Sequence, residues 1–473
     1  MIFNSFNFLI IFPFLFFLYY LIPARKQSHR NIYLLLVSYL LYINFKPTYA
    51  IILLGITTIT FYTAKIIESR KTKKNKYIVY LGVLITLLPL LIFKYYNFIN
   101  DSCFELLSAL GFRFKLPGLN WAIPVGISFF TFQALSYLWD VYYRKIKAEH
   151  NFLDYALYVS FFPSIVSGPI NKASLILPQI KNLRPYFDYS KTVEGLKMLL
   201  WGMFMKVVVA DRIALYVDTV FSKYENYSGF SCFAASLLYS VQIYADFAGY
   251  SLMAIGVGKI LGFELTENFR RPYLSYSVTD FWRRWHISLS TWLKDYIYIP
   301  LGGSRCSKFR NYWNIIITFL VSGIWHGANW TFIIWGLWHG IFQVLEKALN
   351  QQKCSYDRFG KTIKIFITFL LVNFAWIFFR MPTIADAYGV FRRIFNISVW
   401  GNLYLPEKTN TLFIIMGILI LTCKDLADEY RQGGLRLMSN KNIIIRWCTY
   451  ISLTILILLS GVFDAGQFIY ANF

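Results

Sequence analysis

Charged residues are scarce in this chain of 473 residues, at 15% against about 25% in a typical soluble domain. Its six cysteines are scattered without a C-x-x-C pair, which argues against a disulfide framework or a zinc knuckle and leaves them as apolar filler. Acidic residues number 24 against 47 basic ones, for a formal net charge of +23. Because the basic residues lie between apolar segments, nucleic-acid binding is disfavoured, and a basic face toward anionic lipid or an anionic substrate is favoured.

Several catalytic motifs are also missing. The chain has no G-x-S-x-G elbow, no H-E-x-x-H helix, no Walker-type G-x-x-x-x-G-K loop and no G-x-G-x-x-G turn. Covalent serine catalysis, zinc hydrolysis and ATP-driven pumping are therefore disfavoured. The histidines lack the neighbouring carboxylates of a metal site, so no metal is predicted.

Long apolar runs dominate what is present, with 57% hydrophobic and 20% aromatic residues. A bilayer core about 30 Å thick is crossed by about 20 apolar residues in a helix. The sequence therefore predicts an all-α polytopic membrane protein with about 11 to 12 transmembrane helices. The predicted spans are 6–22, 31–45, 48–64, 77–97, 121–142, 196–220, 230–257, 311–328, 331–347, 363–379, 411–424 and 445–463.

The basic residues predict the orientation of these spans in the cell (inner) membrane. The cluster at 25–30 follows the first apolar segment, which is the wrong order for a cleaved signal peptide, so we expect a retained span with its N-terminus outside. Counting onward places the basic stretches 65–76, 144–147 and 424–446 in the cytoplasm, as the positive-inside rule requires. The same count leaves two segments outside, 98–120 and 380–410.

Two stretches do not behave as spans. Residues 151–192 contain four prolines that forbid a continuous helix, so a re-entrant or interfacial segment is predicted. Residues 258–310 alternate aromatic side chains with charged and hydroxyl-bearing ones. That composition is typical of a segment that lies in the interface or lines a wet cavity.

Histidines are the candidates for chemistry. His29 and His150 lie among basic residues and are interpreted as solvated loop residues. His326, in SGIWHGANW near the end of a span, costs roughly 2.5 kcal/mol or more unless it faces a cavity or a partner. His339 repeats this pattern in GLWHG, and His286 lies in FWRRWHISLSTW. A neutral imidazole can take a proton from a hydroxyl that attacks an ester or thioester, so base-assisted acyl transfer is favoured.

Structural interpretations of these residues stay open. The spans carrying His326 and His339 each contain a G-x-x-x-G pattern, which predicts close packing with the glycines inward. His286 also fits an interfacial aromatic-basic anchor. Asp246, in SVQIYADFAGYS, is expected to orient a histidine, to pair with an arginine of the 283–284 pair, or to bond two helices. Further ion pairs expected as scaffolding are Asp280 with Arg284 and Asp295 with Lys294.

Three long motifs resemble those of the membrane-bound O-acyltransferases, and in particular the branch of the alginate O-acetyltransferase membrane subunit. They are VSGPI (166–170), the stretch from YADFAGYS to YIPLGG (244–303), and GIWHGANWTFIIWGLWHG (323–340). The resemblance runs over nearly the whole chain. The D-alanyl transfer protein of teichoic acid modification shares the shorter signatures.

This resemblance implies a fold and a site. The fold is a ring of spans around a thinned centre, where a tunnel from the cytoplasm meets a funnel from outside. The family's catalytic histidine falls on His326, and its second active-site histidine falls on His286. Supporting or tunnel-lining positions are His339, Asp246, Trp325, Asn329, Arg283 and Arg284.

The resemblance implies one transmembrane domain over residues 1–473. Its expected parts are N-terminal spans (1–150), a re-entrant or interfacial segment (151–192), a catalytic core (193–347) and C-terminal spans (348–473).

It also implies the substrates. The expected donor is acetyl-coenzyme A or an acyl carrier protein, used as a substrate with no bound cofactor, and the basic cytoplasmic face suits either phosphate-bearing donor. Because this chain carries no appended extracytoplasmic hydrolase-like domain, delivery to a polymer is expected to need a partner protein of the SGNH-hydrolase type. The acceptor stays open among alginate-like exopolysaccharides, cellulose and peptidoglycan.

Two other functions stay open. A proton-coupled transporter or flippase of a polysaccharide export system would use the intramembrane His and Asp as a proton relay. For such a protein, weak inverted repeats between the two halves of the sequence are expected. Only the local echo of GIWHG in GLWHG is found. A membrane scaffold for a polymer synthase would tolerate alanine at every histidine.

Overall fold

The computed structural model describes residues 3, 5–69, 75–112, 114–182, 187–349, 358–430 and 436–463. Within these ranges the chain is helical and contains no strand, which confirms the all-α prediction. The α-helices are α1 (Phe6–Leu21), α2 (Gln27–Ile43), α3 (Pro47–Ser69), α4 (Asn75–Leu90), α5 (Tyr96–Ala109), α6 (Ile127–Tyr142), α7 (Phe152–Ser160), α8 (Phe162–Ile165), α9 (Ala173–Lys181), α10 (Tyr189–Met203), α11 (Asp211–Ser222), α12 (Gly229–Ile260), α13 (Val278–Arg284), α14 (Ile287–Leu293), α15 (Lys308–His326), α16 (Trp330–Ala348), α17 (Arg358–Arg380), α18 (Ile384–Phe395), α19 (Lys408–Tyr430) and α20 (Ile443–Ser460). The described ranges also contain three π-helical turns: Leu91–Tyr95 between α4 and α5, Phe204–Ala210 between α10 and α11, and Lys294–Tyr298 directly after α14.

Among the described residues, five helices are long and apolar enough to cross a bilayer. Large side chains on them, such as Ile51 and Leu459, are exposed, as expected where lipid tails replace water. A shorter apolar helix covers Asn7–Leu21, and every other predicted span overlaps at least one helix. The protein is therefore a polytopic membrane protein, while the count of 11 to 12 spans, the orientation and the ring with its tunnel stay predictions. The five helices are Pro47–Ser69, Lys76–Ala109, Phe359–Arg380, Lys408–Tyr430 and Ile443–Ser460.

Some boundaries differ from the predicted ones. The span predicted at 121–142 begins as a helix only at Ile127, because Gly126 has a left-handed backbone with φ of 75°. The fourth span continues to Ala109 through a π-helical turn, so part of the predicted outer loop is helical. His29 lies exposed on α2 rather than in a loop. Parts of the basic stretches 65–76 and 424–446 lie outside the described residues.

The cysteines differ from their interpretation as apolar filler. Of those described, only Cys232 is buried, whereas Cys103, Cys423 and Cys448 are exposed. Cys354 lies outside the described residues.

Contacts divide the chain into two units. Among the described residues, the first unit lies within 6–192 and 257–266. Within it the proline-containing stretch is broken into α7, α8 and α9, so the prediction of a discontinuous helix is confirmed. The VSGPI motif is the buried turn between α8 and α9. At its centre, a Cβ on Gly168 would lie 2.5 Å from the Cα of Ser164, so the turn requires glycine.

Among the described residues, the second unit lies within 193–256 and 267–463, together with residues 3 and 5. Within it, α15 and α16 pack against each other and are joined by the short turn at 327–329. A Cβ on Gly323 would lie 2.3 Å from the carbonyl oxygen of Phe332, and one on Gly336 would lie 2.4 Å from that of Phe319. The two backbones thus touch at their glycines, which confirms the predicted packing.

We predict that Gly336→Ala lowers the free energy of unfolding by about 1–3 kcal/mol, because the added methyl forces α15 and α16 apart. Thermal unfolding in lipid nanodiscs measures the loss. The matched control is Gly55→Ala on α3, where no atom lies within 4 Å of the new Cβ, so stability is unchanged or slightly raised. Equal stability of both variants would contradict the close approach.

Candidate active site

His286 lies at a sharp reversal between two short helices. The side chain of Ser277 accepts a hydrogen bond from the backbone N–H of Asp280 and begins α13, which ends at Arg284. His286 then adopts a left-handed backbone with φ of 42°, and α14 starts at the next residue. A left-handed conformation costs a residue with a side chain about 1–3 kcal/mol, and such strain concentrates at functional sites. The imidazole is fully buried.

One amide holds this histidine. The Oδ1 atom of Asn268 lies 3.0 Å from Nδ1 of His286, and the backbone N–H of Ile287 donates to the carbonyl oxygen of Asn268 at 2.9 Å. Phe247 on α12 packs edge-on against the imidazole, with ring centroids 4.6 Å apart. The position of His286 is therefore fixed from two sides.

His326 and His339 are also buried, at 1% exposure each. Both rings contact Trp335, with centroid distances of 4.8 Å and 5.0 Å. Trp325 links His326 to His286, with centroids 4.9 Å and 5.8 Å away. The three histidines singled out from the sequence therefore lie on one continuous aromatic cluster, which we call the histidine cluster.

Further aromatic rings enclose the histidine cluster. Trp282 of α13 meets His339 at right angles with centroids 5.1 Å apart, and Phe379 of α17 meets His326 at 5.2 Å. Neither ring nitrogen of His339 has a hydrogen-bond partner among the described residues. A buried polar atom left unpaired costs about 1–3 kcal/mol, so this imidazole is a candidate for contact with a substrate.

A cavity of about 450 Å³ borders the cluster. Trp282 and Phe319, which both contact the ring of His339, form part of its wall. Of the described residues that line the cavity, three are basic, Arg283, Lys294 and Lys347, and none is a carboxylate. The described residues provide no ion-pair partner for Arg283 or Lys294. The cavity thus combines an apolar wall beside a histidine with uncompensated positive charge.

Of the roles expected for Asp246, the structure shows a bond between two helical segments and not a pair with an arginine of the 283–284 pair. Asp246 lies 2.5 Å from Nζ of Lys206, which also contacts Asp211 at 2.7 Å. All three side chains are buried. Lys206 lies in the π-helical turn Phe204–Ala210, a feature often found at functional sites. Lys206 was not among the predicted site residues, although a lone lysine within the apolar run WGMFMKVVVA was an available signal.

The remaining supporting residues are divided among several contacts. Arg284 pairs with Asp280 at 3.0 Å, as predicted, and also with Glu429 at 2.9 Å, which was missed. Asn329 caps α16, because its side chain accepts a hydrogen bond from the backbone N–H of Thr331. Across the described ranges, no group of three or more His, Cys, Asp or Glu side chains is arranged to hold a metal ion.

A helical membrane protein with buried histidines beside a cation-lined cavity has the features of a membrane-embedded group-transfer enzyme. The model of the membrane-bound O-acyltransferase family matches residues 37–380, and close relatives match along most of the chain. The chain therefore belongs to the membrane-bound O-acyltransferase family, which confirms the resemblance found in its motifs.

Three relatives indicate the range of the family near this chain. The probable alginate O-acetylase of Pseudomonas aeruginosa is 38% identical over 431 residues, covering 90% of this chain and 81% of the relative. The peptidoglycan O-acetyltransferase of Helicobacter pylori is 35% identical, covering 82% of this chain and 78% of the relative. The teichoic acid D-alanyltransferase of Bacillus subtilis is 26% identical, covering 54% of this chain and 65% of the relative.

We predict that Lys206→Met lowers the free energy of unfolding by about 3–5 kcal/mol, because two buried carboxylates lose their counter-ion. The measurement is thermal unfolding in nanodiscs. Lys191→Met is the control, since its pair with Glu264 at 3.4 Å is exposed and contributes less than about 1 kcal/mol. A Lys206→Met protein as stable as the control would show that the buried pairs are dispensable.

Proposed function

We propose that this protein transfers an acetyl group from a cytoplasmic donor to the hydroxyl of an extracytoplasmic acceptor, for O-acetylation of a cell-surface polymer. The observation that carries the proposal is that the histidine cluster borders the cation-lined cavity. Trp282 and Phe319 contact the ring of His339 and also form part of the cavity wall. Family membership supports acyl transfer over the transporter and scaffold alternatives.

The cavity suits the donor. Acetyl-coenzyme A and an acyl carrier protein both carry phosphate at a distance from a neutral thioester. Arg283 and Lys294 would attract the phosphate, while the apolar wall beside His339 would receive the thioester arm. No cofactor is required, because the donor brings the activated group.

His326 is the proposed base. The acceptor hydroxyl oxygen attacks the thioester carbonyl carbon while the imidazole takes the hydroxyl proton. When the carbon–sulfur bond breaks, the same proton is delivered to the departing thiolate, so the histidine is regenerated. His286 is the second active-site histidine, and His339 contacts the donor arm. The aromatic rings around the cluster exclude water, which protects the thioester from hydrolysis.

The acceptor is proposed from the relatives, whose names give alginate, peptidoglycan and teichoic acid as the acylated polymers. Alginate-like exopolysaccharide is favoured, because the alginate relatives match over the largest share of the chain. We propose that a partner of the SGNH-hydrolase type carries the acetyl group onward outside the membrane.

We predict that His326→Ala lowers acetyl transfer at least about 100-fold, because the attacking hydroxyl loses its base. The measurement is incorporation of label from radiolabelled acetyl-coenzyme A by membranes that contain the protein. His29→Ala, at an exposed histidine of α2, is the control and retains full transfer.

Insertion and folding of both variants are checked by size-exclusion chromatography in detergent. Retained transfer by well-folded His326→Ala protein would overturn the proposal. If the wild-type protein transfers no label from acetyl-coenzyme A, the same comparison is repeated with an acetylated carrier protein.

A second prediction concerns the cavity. Arg283→Ala and Lys294→Ala each raise the KM for the donor about 5-fold to 10-fold and leave the KM for the acceptor unchanged, because the donor phosphate loses a cation. Raising the salt concentration reduces the difference from the wild type. Lys308→Ala is the control, since this exposed lysine does not line the cavity. An unchanged donor KM in both cavity variants would exclude this donor site.

A further inference from the structure

The side chain of Asn268 is the centre of a buried hydrogen-bond array. Its Oδ1 atom accepts from the backbone N–H of Ser288 at 3.2 Å and from the hydroxyl of Ser288 at 2.9 Å. Its Nδ2 group donates to the hydroxyl of Ser251 at 3.1 Å. Nδ1 of His286 lies 3.0 Å from the same Oδ1 atom. Asn268 is fully buried, so these contacts account for its polar atoms without bulk water.

The backbone N–H of Ser288 decides which way this amide faces. A backbone N–H can only donate, so the atom it meets is the carbonyl oxygen and not the amide nitrogen. That oxygen is an acceptor, so Nδ1 of His286 must be the protonated nitrogen that donates to it. In the neutral imidazole, the lone pair is then on Nε2.

We propose that Asn268 is a positioning residue that holds His286 in the tautomer protonated at Nδ1, so that Nε2 enters the active site as an acceptor of a proton or hydrogen bond. The inference rests on the proposed function, in which His286 belongs to the active site. The tautomer determines the chemical role of His286. With the proton on Nδ1, the Nε2 atom can accept a proton or a hydrogen bond, whereas the opposite tautomer would present an N–H at Nε2 and donate a hydrogen bond to the acyl oxygen.

The surroundings keep this imidazole neutral. On the neighbouring α12, Asp246 is paired with Lys206 and Tyr244 donates to Asp425. On α13, Asp280 is paired with Arg284, which also contacts Glu429 of α19, while Arg283 faces the cation-lined cavity. On α15, His326 is reached through Trp325. Burial therefore dominates and lowers the pKa of His286 to about 3, so a neutral tautomer is present at pH 7.

The direct test is solid-state NMR of the full-length protein in lipid bilayers with ¹⁵N-labelled histidine. Signals of His286 are assigned by their loss in His286→Ala, and a protonated nitrogen is distinguished by its chemical shift. We expect Nδ1 protonated and Nε2 unprotonated in the wild type at pH 7. An Nε2-protonated His286 in the wild type would overturn the inference, even in a protein that transfers acetyl groups.

Two variants of Asn268 extend the test. Asn268→Asp keeps the acceptors and adds a negative charge beside Nδ1, which favours the imidazolium, so the pH at which His286 becomes protonated rises by about 1–3 units. Asn268→Leu removes the acceptor, so the Nδ1-protonated signal is lost and kcat falls at least about 10-fold while the KM for the donor stays unchanged. Retention of the Nδ1-protonated signal in Asn268→Leu would overturn the inference.

Asn373→Asp is the matched control. Asn373 is equally buried and also contacts two serine hydroxyls, those of Ser240 and Ser236, but no histidine. We expect the titration of His286 to be unchanged in this variant. An equal shift of the His286 titration in both variants would show that any added buried charge produces it, and this result would overturn the inference. Because the NMR signal does not depend on turnover, the expected tautomer in a protein without acetyl transfer would support the positioning role and reject the proposed function alone.

Discussion

The contact between the backbones of α15 and α16 is the constraint on which the histidine cluster depends. Helix axes can approach this closely only where glycine removes the side chain, and Gly323 and Gly336 meet that condition directly opposite each other. His326 is three residues after Gly323, and His339 is three residues after Gly336. Both histidines therefore lie next to the contact between α15 and α16. Trp335 contacts both imidazole rings. The glycines therefore determine the distance between the histidines as well as the packing of the helices.

Several carboxylates near the histidine cluster are paired with lysine and arginine side chains. Lys206 neutralises part of the charge of Asp211 and Asp246, and Arg284 bridges Asp280 and Glu429, so each carboxylate of these groups has a cation within 3.0 Å. A buried carboxylate beside an imidazole would favour the charged imidazolium and remove the base. Keeping the acids paired with lysine and arginine leaves the histidines to aromatic and amide neighbours, which suits a neutral base.

The sequence was sufficient for the helical class, the segments and the three histidines, because each of these depends on local patterns. A long apolar run indicates a helix, and a G-x-x-x-G pattern indicates close helix packing. A histidine within a span has an energetic cost of burial, which indicates that it faces a cavity or a partner. The sequence was insufficient for Lys206 and Asn268, whose importance depends on partners distant in the chain. Asp246 illustrates the limit, since the sequence suggested an arginine near His286 as its partner, whereas the fold places Lys206 beside it.

The proposed function also accounts for the positive charge of the cation-lined cavity. A donor thioester is neutral where it reacts and anionic where it is held, so a site for it needs a dry reactive end and a basic entrance. The wall of Trp282 and Phe319 belongs to both regions, because each ring contacts His339 and borders the cavity. Placing Arg283 on the helix that carries Trp282 couples the two ends through a single turn of backbone. A donor seated on the arginine would therefore have its distance to the histidine cluster set by α13, a rigid element, rather than by a loop.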